Sequence, residues 1–122
     1  MLNDKILRGD IWILDYGKPQ DSPIIAKKRP VVVIQNNVAN NCGSTVIVTS
    51  ITSTSKLEQL PIGVKLEPGE TGLHNVSFAN LSQITTVDKK RLEKKIGSVP
   101  KSEMEGINKA IRISLGIEQH TL

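Results

Sequence analysis

Residues 26–37 have the sequence AKKRPVVVIQNN, in which three basic residues and a proline precede an apolar run and three polar amides. Its four consecutive β-branched residues, Val31 to Ile34, are typical of a strand that is buried on both faces. Pro30 fixes its own φ near roughly −65° and keeps Arg29 out of the α region. The guanidinium of Arg29 is therefore carried by a stiffened backbone at the start of a buried strand. This placement suits an anionic ligand, and it suits equally a solvated basic loop before a core strand.

Length and composition indicate one small domain. A chain of 122 residues can bury one modest core, so we expect a single domain over residues 1–122. Sixteen basic against twelve acidic residues give a net charge of +4, which permits nucleic-acid binding without proving it. The single cysteine excludes an intrachain disulfide and a multi-thiolate zinc site, and we expect neither a metal nor a cofactor. Because no apolar run approaches membrane-spanning length and no secretory signal begins the chain, we expect a cytoplasmic protein with no membrane contact.

Apolar runs and turn residues predict five or six short strands. We expect strands at residues 11–16, 31–34, 44–52, 62–67, 76–79 and 81–86. A turn over residues 40–43 is expected to join the second and third strands. Such strands followed by a terminal helix predict a small α+β domain of mostly antiparallel strands.

Two helices are predicted after the strands. Asp88 is placed to cap a short basic helix over residues 89–95. Ser102 and Glu105 form a capping box at the start of a C-terminal helix, and Gly116 is expected to end that helix. The apolar face of this helix consists of residues at helical spacing, which are Met104, Ile107, Ala110, Ile111 and Leu115.

Arg29 and Thr52 are the first candidates for a functional site. Arg29 opens one predicted strand and Thr52 closes the next, so a hairpin brings both to the same end of a sheet. A guanidinium fork and a hydroxyl together bind a phosphate well. The alternative is that Thr52 is a β-former whose hydroxyl caps a loop, and Thr52 taken alone favours that alternative.

Motifs of several other enzyme classes are absent. The chain has no HExxH, Walker or Gly-rich dinucleotide-binding motif, and it has no nucleophile elbow. His74 lies near a predicted turn and is expected to be a surface or packing histidine rather than a catalytic base. The aromatic residues are only Trp12, Tyr16 and Phe78, so an RNA-binding site here would depend more on charges and amides than on stacking.

Six blocks along the chain resemble, in their order, the MazF/PemK family. They are Arg8-Gly9-Asp10, residues 29–36, residues 45–52, Gln83-Ile84, residues 88–92 and Ser114-Leu115-Gly116. Members of this family are toxins of type II toxin–antitoxin systems and act as metal-independent endoribonucleases on single-stranded mRNA. The resemblance covers about residues 7–117 and implies the small SH3-like barrel of the PemK and CcdB proteins, with a C-terminal helix.

The resemblance also implies which residues act on RNA. The family's catalytic arginine corresponds to Arg29, its catalytic threonine to Thr52, and the glutamine that borders its RNA groove to Gln83. Further RNA contacts are expected from charged and polar side chains, which are Lys27, Lys28, Gln35, Asn36 and Ser53. The family's Gly-Ser-Glu-Gln-Gly/Ala-Gly stretch is missing before Arg29, so we expect the altered loop over residues 17–28 to affect sequence preference.

The implied reaction needs no metal because RNA supplies its own nucleophile. The 2′-OH next to the scissile phosphate attacks the phosphorus and gives a 2′,3′-cyclic phosphate and a 5′-OH end. The transition state carries extra negative charge, which Arg29 and the Thr52 hydroxyl are placed to stabilise. An arginine stays protonated in proteins, so charge stabilisation is favoured over a general-base role for Arg29.

The resemblance further implies a homodimer that a cognate, MazE-like antitoxin inhibits through an acidic, disordered tail.

Two other function classes stay open on the sequence alone. One is a CcdB-like protein of the same fold that poisons gyrase without catalysis, and the other is a small-barrel module that binds RNA without turnover. The pairing of Arg29 with Thr52 favours the nuclease, because a gyrase binder needs neither. The cleavage motif and the identity of the antitoxin cannot be obtained from the sequence.

Overall fold

Six strands and a C-terminal helix form the protein in this computed structural model, which describes residues 5–17 and 27–119. The strands are β1 (Asp10–Gly17), β2 (Lys27–Val33), β3 (Thr45–Thr52), β4 (Gly63–Leu66), β5 (Ser77–Asp88) and β6 (Leu92–Ser98). The helices are α1 (Asn37–Asn40) and α2 (Lys101–Ser114), with short 3-10 helices at Ser55–Gln59 and Lys89–Arg91. The sheet order is β4-β5-β3-β2-β1-β6, and every neighbouring pair is antiparallel. The predicted α+β class, with antiparallel strands and a C-terminal helix, is therefore confirmed.

The two outer strands, β4 and β6, end the sheet on opposite sides, so hydrogen bonds between strands do not close a barrel in the described residues. The turn between β4 and β5 instead packs on β6, where the Ser98 N–H donates to the Glu70 carbonyl oxygen at 2.9 Å. Gly72 and Gly97 permit this approach, because a Cβ at either position would collide with backbone atoms of the opposite segment. The fold is consequently barrel-like, with a turn over the gap between its outer strands.

The strand predicted from the valine run is buried on both faces of the sheet. Val31, Val32 and Val33 are each 0% exposed. Val32 belongs to a core cluster with Ile107 of α2, whereas Val31 and Val33 belong to a second cluster with Trp12 of β1. Alternate residues of a strand point to opposite faces, so the two clusters lie on opposite sides of β2. The unbroken apolar run arises from this double burial.

The C-terminal helix forms, but it starts differently from the prediction, and Leu115, which was placed on its apolar face, follows its last residue and is exposed. Ile107 and Ala110 are buried, and Gly116 ends the helix with a φ of +78°. The predicted capping box is wrong: α2 begins at Lys101, so Ser102 already lies in its first turn, and the helix has no side-chain cap. No helix within residues 5–17 and 27–119 has the length and apolar character needed to cross a membrane.

The predicted basic helix over residues 89–95 is also wrong. Asp88 does cap a turn, since its carboxylate accepts from the Lys90 N–H at 2.9 Å, but that turn is only the 3-10 helix at Lys89–Arg91. The chain then continues as β6, in which Leu92 is buried and pairs with Leu14 of β1. The charged residues 93–95 are exposed on an outer strand, where lysines are common because they discourage pairing with other chains.

The strands predicted at 76–79 and 81–86 are one continuous strand, β5, with an irregularity in the middle. Thr49 of β3 pairs with Ile84, and the next residue, Ser50, pairs with Asn80. Residues 81–83 therefore have no partner on β3, so they form a bulge in β5. A bulge interrupts the alternation of side chains, which explains why the sequence pattern predicted two strands.

Candidate active site

A cavity of about 300 Å³ opens where the end of β1, the start of β2, the end of β3 and the bulge of β5 meet. Its lining residues are Tyr16, Lys27, Arg29, Ser50, Ile51, Thr52 and Gln83. Four of the residues predicted from the sequence, Lys27, Arg29, Thr52 and Gln83, therefore lie together. Tyr16, Ser50 and Ile51 were not among the predicted site residues.

The juxtaposition of Arg29 and Thr52 follows from the pairing of β2 with β3. Val31 pairs with Ser50 in this antiparallel ladder, and the same register continued by two residues places Arg29 opposite Thr52. Arg29 lies inside β2 rather than at its start, because Lys27 and Lys28 already pair with β1. The guanidinium is thus held by a strand that is hydrogen-bonded on the β1 side.

The cavity lies on the same face of the sheet as the second core cluster, just beyond its last apolar side chains. Strand alternation places Tyr16 on the face of Trp12 and Leu14, and Arg29 on the face of Val31. Apolar side chains thus support the sheet next to the cavity, and polar side chains replace them where the sheet becomes accessible. This alternation is the sequence pattern from which Tyr16 could have been identified as a site residue.

Tyr16 is 41% exposed, whereas the other two aromatic residues of the chain, Trp12 and Phe78, are buried. Partial burial raises the pKa of the Tyr16 hydroxyl above its ordinary value, while the positive charge of Arg29 acts in the opposite direction. The ring of Tyr16 and the guanidinium of Arg29 therefore border the same space. One aromatic side chain therefore lines the cavity, beside a larger number of charged and polar ones.

Arg29 and Thr52 both have hydrogen-bond donors that are available to a ligand. Arg29 is exposed and makes no ion pair or hydrogen bond with any of the residues described. The Thr52 hydroxyl oxygen accepts from the Thr54 N–H at 3.3 Å, which leaves its own proton available to donate. The loop-capping role considered for Thr52 and a role in ligand binding are therefore compatible.

Lys28 points away from this cavity. Its Nζ lies 3.0 Å from the Glu93 carboxylate on β6, and the hydrogen bond and negative charge of Glu93 raise the pKa of Lys28. Lys27, one residue earlier, lines the cavity because strand alternation puts it on the same face as Arg29. Only one of the two adjacent lysines is therefore brought to the site.

Gln35 and Asn36 lie beyond the opposite end of β2 from Arg29. The Asn36 side chain accepts from the Ala39 N–H at 2.8 Å and caps α1. The Gln35 amide donates to the Asn40 side chain at 3.0 Å. These two amides hold the α1 turn, and the structure does not bring them to the cavity. Ser53 follows Thr52 and is exposed, but it does not line the cavity either.

Histidine, cysteine and metal-binding groups do not contribute to this cavity in the parts of the chain that the structure describes. His74 is exposed on the turn before β5, as predicted, and Cys42 is exposed near α1. No group of three or more His, Cys, Asp or Glu side chains that could hold a metal ion occurs in residues 5–17 and 27–119. His120 and most of the altered loop, residues 18–26, lie outside the described residues.

Sequence and structure comparisons relate the chain to one group of proteins. A family model described as "PemK-like, MazF-like toxin of type II toxin-antitoxin system" matches residues 7–115. Endoribonuclease MazF of Staphylococcus saprophyticus is 38% identical over 115 residues, which are 94% of this chain and 93% of that relative.

Solved structures share the fold. An endoribonuclease in complex with its cognate antitoxin, from a mycobacterial species, is similar with a TM-score of 0.78 at 25% identity, over 94% of this chain and 99% of that one. A MazE-MazF complex from Deinococcus radiodurans also gives a TM-score of 0.78, over 95% of this chain and 100% of that one. Its identity is 19%, so this second likeness concerns the fold alone.

Proposed function

This chain belongs to the family of PemK-like, MazF-like toxins of type II toxin–antitoxin systems, and from this we propose that it is an endoribonuclease that cleaves single-stranded mRNA without a metal ion. The observation that carries the proposal is the cavity that holds Arg29 and Thr52 side by side. Both side chains have hydrogen-bond donors with no partner among the described residues. A phosphate is the anion that this combination of a planar cation and a hydroxyl suits.

The proposed reaction is an in-line attack within the RNA. The 2′-oxygen forms a bond to the adjacent phosphorus while the bond from that phosphorus to the 5′-oxygen breaks, which leaves a 2′,3′-cyclic phosphate and a 5′-OH. Arg29 stabilises the charge that develops on the non-bridging oxygens, and the Thr52 hydroxyl donates to the same group. Because Arg29 stays protonated, it donates hydrogen bonds and acts neither as the base that removes the 2′-proton nor as the acid that protonates the leaving oxygen. The 2′-proton passes to water, and water returns a proton to the 5′-oxygen.

Two further lining residues fit an RNA substrate. Lys27 adds a second positive charge beside Arg29, which attracts the RNA backbone in a salt-dependent way. Tyr16 presents an exposed ring next to Arg29, and a ring in this position provides a surface on which a base can stack. Charge and one aromatic ring together therefore replace the several aromatic platforms of many single-strand binders.

The experiment that tests the proposal is incubation with a long single-stranded RNA in excess EDTA, followed by mapping of the cut sites and end groups. We expect cleavage to persist in EDTA and to yield 2′,3′-cyclic phosphate and 5′-OH ends. Arg29→Ala serves as the control for contaminating nucleases. Loss of cleavage in EDTA would contradict the mechanism, and absence of cleavage under all conditions would favour a non-catalytic, CcdB-like or RNA-binding protein.

We also propose that the protein is a cytoplasmic homodimer that a cognate, MazE-like antitoxin inhibits. Large apolar side chains are exposed on the described surface, including Val38 (78%), Leu115 (60%) and Ile117 (72%), and a two-fold dimer would cover part of such surface. The net charge of +4 suits an acidic, disordered tail on the antitoxin. Light scattering at micromolar concentration should give twice the mass of the chain; a monomer mass would contradict the dimer.

A further inference from the structure

Tyr16 lies in a bulge at the end of β1. Asp15 pairs with Lys28 of β2, and Gly17 pairs with Lys27. Tyr16 is therefore an extra residue that has no partner on β2. Gly17 has a φ of +82°, and its N–H donates to the Asp15 carboxylate at 2.8 Å. Because a bulge redirects the side chain that it contains, the direction of the Tyr16 ring into the cavity depends on the conformation of this bulge.

Arg91, from the 3-10 helix before β6, holds the other side of this bulge. The ladder between β1 and β6 has its last pair at Leu14 and Leu92, so β6 does not pair with the bulge itself. Instead, Nη1 of Arg91 donates to the Asp15 carbonyl oxygen at 3.1 Å. The direction of this hydrogen bond is fixed, because a guanidinium only donates and a carbonyl oxygen only accepts. Arg91 thus takes the place of a ladder partner for the residue just before Tyr16.

The guanidinium of Arg91 also lies close to the backbone of Gly17. A Cβ at Gly17 would lie 3.0 Å from Nη1 of Arg91, and the positive φ favours a glycine at this position as well. Arg91 makes no ion pair with the residues described, and it does not line the cavity. The side chain of its neighbour Lys90 is exposed and makes no hydrogen bond or ion pair in the described part of the chain. The contacts with the bulge therefore distinguish Arg91 from the other exposed cation beside it.

From this geometry we propose that Arg91 is a positioning residue, which holds the bulge in the conformation that directs the ring of Tyr16 into the cavity, where the ring stacks on an RNA base beside the scissile phosphate. Arg91 acts through Tyr16, since its own side chain does not line the cavity. The stacking on RNA rests on the proposed function, whereas the position of the ring in the free protein does not.

The position of the ring can be measured without RNA, because Tyr16 is the only tyrosine of the chain. Replacement of tyrosine by fluorotyrosine during expression therefore gives a single fluorine NMR signal. We expect Arg91→Ala to move this signal toward its position in the unfolded protein, because the ring is held less firmly. Lys90→Ala is the matched control, since it removes the same charge one residue away, and it should leave the signal unchanged.

Gly17→Ala disturbs the same bulge from its other end. The added methyl group would lie against the guanidinium of Arg91 and would occupy a backbone conformation that alanine disfavours, so the signal of Tyr16 should move in this variant too. If Gly17→Ala moves the signal and Arg91→Ala does not, the bulge directs the ring without Arg91, and the proposal is wrong. Thermal unfolding of each variant checks that the fold is intact.

Kinetics on a short single-stranded RNA with one cut site show whether the ring position affects the substrate. We expect Arg91→Ala to raise KM by about 5-fold more than Lys90→Ala does, the effect of losing one hydrogen bond, with kcat little changed. Tyr16→Ala removes the ring and should raise KM by at least as much. In a Tyr16→Ala background, Arg91→Ala should raise KM no more than Lys90→Ala does, because no ring remains to be positioned.

The outcomes separate this inference from the function on which it rests. If the wild-type protein cleaves RNA but Arg91→Ala matches Lys90→Ala in both the fluorine signal and KM, the positioning role is wrong and the nuclease assignment stands. An undiminished effect of Arg91→Ala in the Tyr16→Ala background would also overturn it, since Arg91 would then act on the RNA directly. If the wild-type protein cleaves no RNA while Arg91→Ala moves the signal, the proposed function fails together with the stacking role, and Arg91 still holds the bulge.

Discussion

Arg29→Ala is expected to lower the rate of RNA cleavage by about 100- to 1000-fold, the usual cost of removing one preorganised donor that stabilises charge in a transition state. The fold should be retained, because the Arg29 side chain is exposed and makes no contact that the core requires. Arg29→Lys should fail as well, since an ammonium is a point charge and cannot donate in two parallel directions to a phosphate. Single-turnover cleavage of a short RNA that contains one cut site measures the loss directly.

The matched control for this prediction is Arg112→Ala, which removes one exposed guanidinium from α2, at a position that does not line the cavity. It changes the net charge by the same amount, so a general loss of electrostatic attraction to RNA would affect both variants equally. Full activity of Arg29→Ala, with circular dichroism showing an intact fold, would remove the basis of the proposed mechanism.

Thr52→Val is expected to reduce cleavage by about 10- to 100-fold, because it removes a hydroxyl that donates to a charged phosphate while it keeps the shape of the side chain. Thr52→Ser retains the hydroxyl and should stay partly active. The hydroxyl oxygen also accepts from the Thr54 N–H, so the loop after β3 loses one hydrogen bond in Thr52→Val. Measurement of kcat and KM on the same RNA separates a loss in the chemical step from a loss of binding.

Thr86→Ala is the appropriate control, since Thr86 is an exposed threonine on β5 that pairs with Ile47 and does not line the cavity. It should behave as the wild-type protein. Equal activity of Thr52→Val and Thr86→Ala would show that the Thr52 hydroxyl has no part in catalysis, and its capping of the loop would then be its whole role.

The sequence correctly predicted the strands and the helix whose apolar residues are spaced according to which side chains are buried. Four β-branched residues in a row indicated a strand buried on both faces, and Val31 to Val33 are so buried. Helical spacing indicated the buried face of α2. The closeness of Arg29 and Thr52 followed from simple hairpin geometry, because two consecutive antiparallel strands return the chain to the same end of the sheet.

The sequence failed where local preference and tertiary pairing differ. Residues 89–95 are rich in lysine and include Leu92 and Glu93, which helices tolerate well, so a helix was the local expectation. In the structure this segment pairs with the free edge of β1, and Leu92 is buried there. These contacts outweigh a helix propensity of a few tenths of a kcal/mol per residue. Gln35 and Asn36 illustrate the same limit, because their partners around α1 are not apparent from residue type.

By itself, then, the sequence determined the family, the antiparallel α+β fold, the buried strand β2 and the presence of an arginine and a threonine at one end of two adjacent strands. Lys27 and Gln83 were also expected at that site from the sequence, whereas Tyr16, Ser50 and Ile51 were identified as lining residues only in the tertiary structure. Tyr16 reaches it from β1, and Ser50 meets Gln83 across 33 residues of chain through a bulge that no local pattern predicted. Burial requires apolar residues at regular spacing, so it can be detected in the sequence. A hydrogen bond between distant side chains depends instead on strand register, which is set by the packing of the whole sheet.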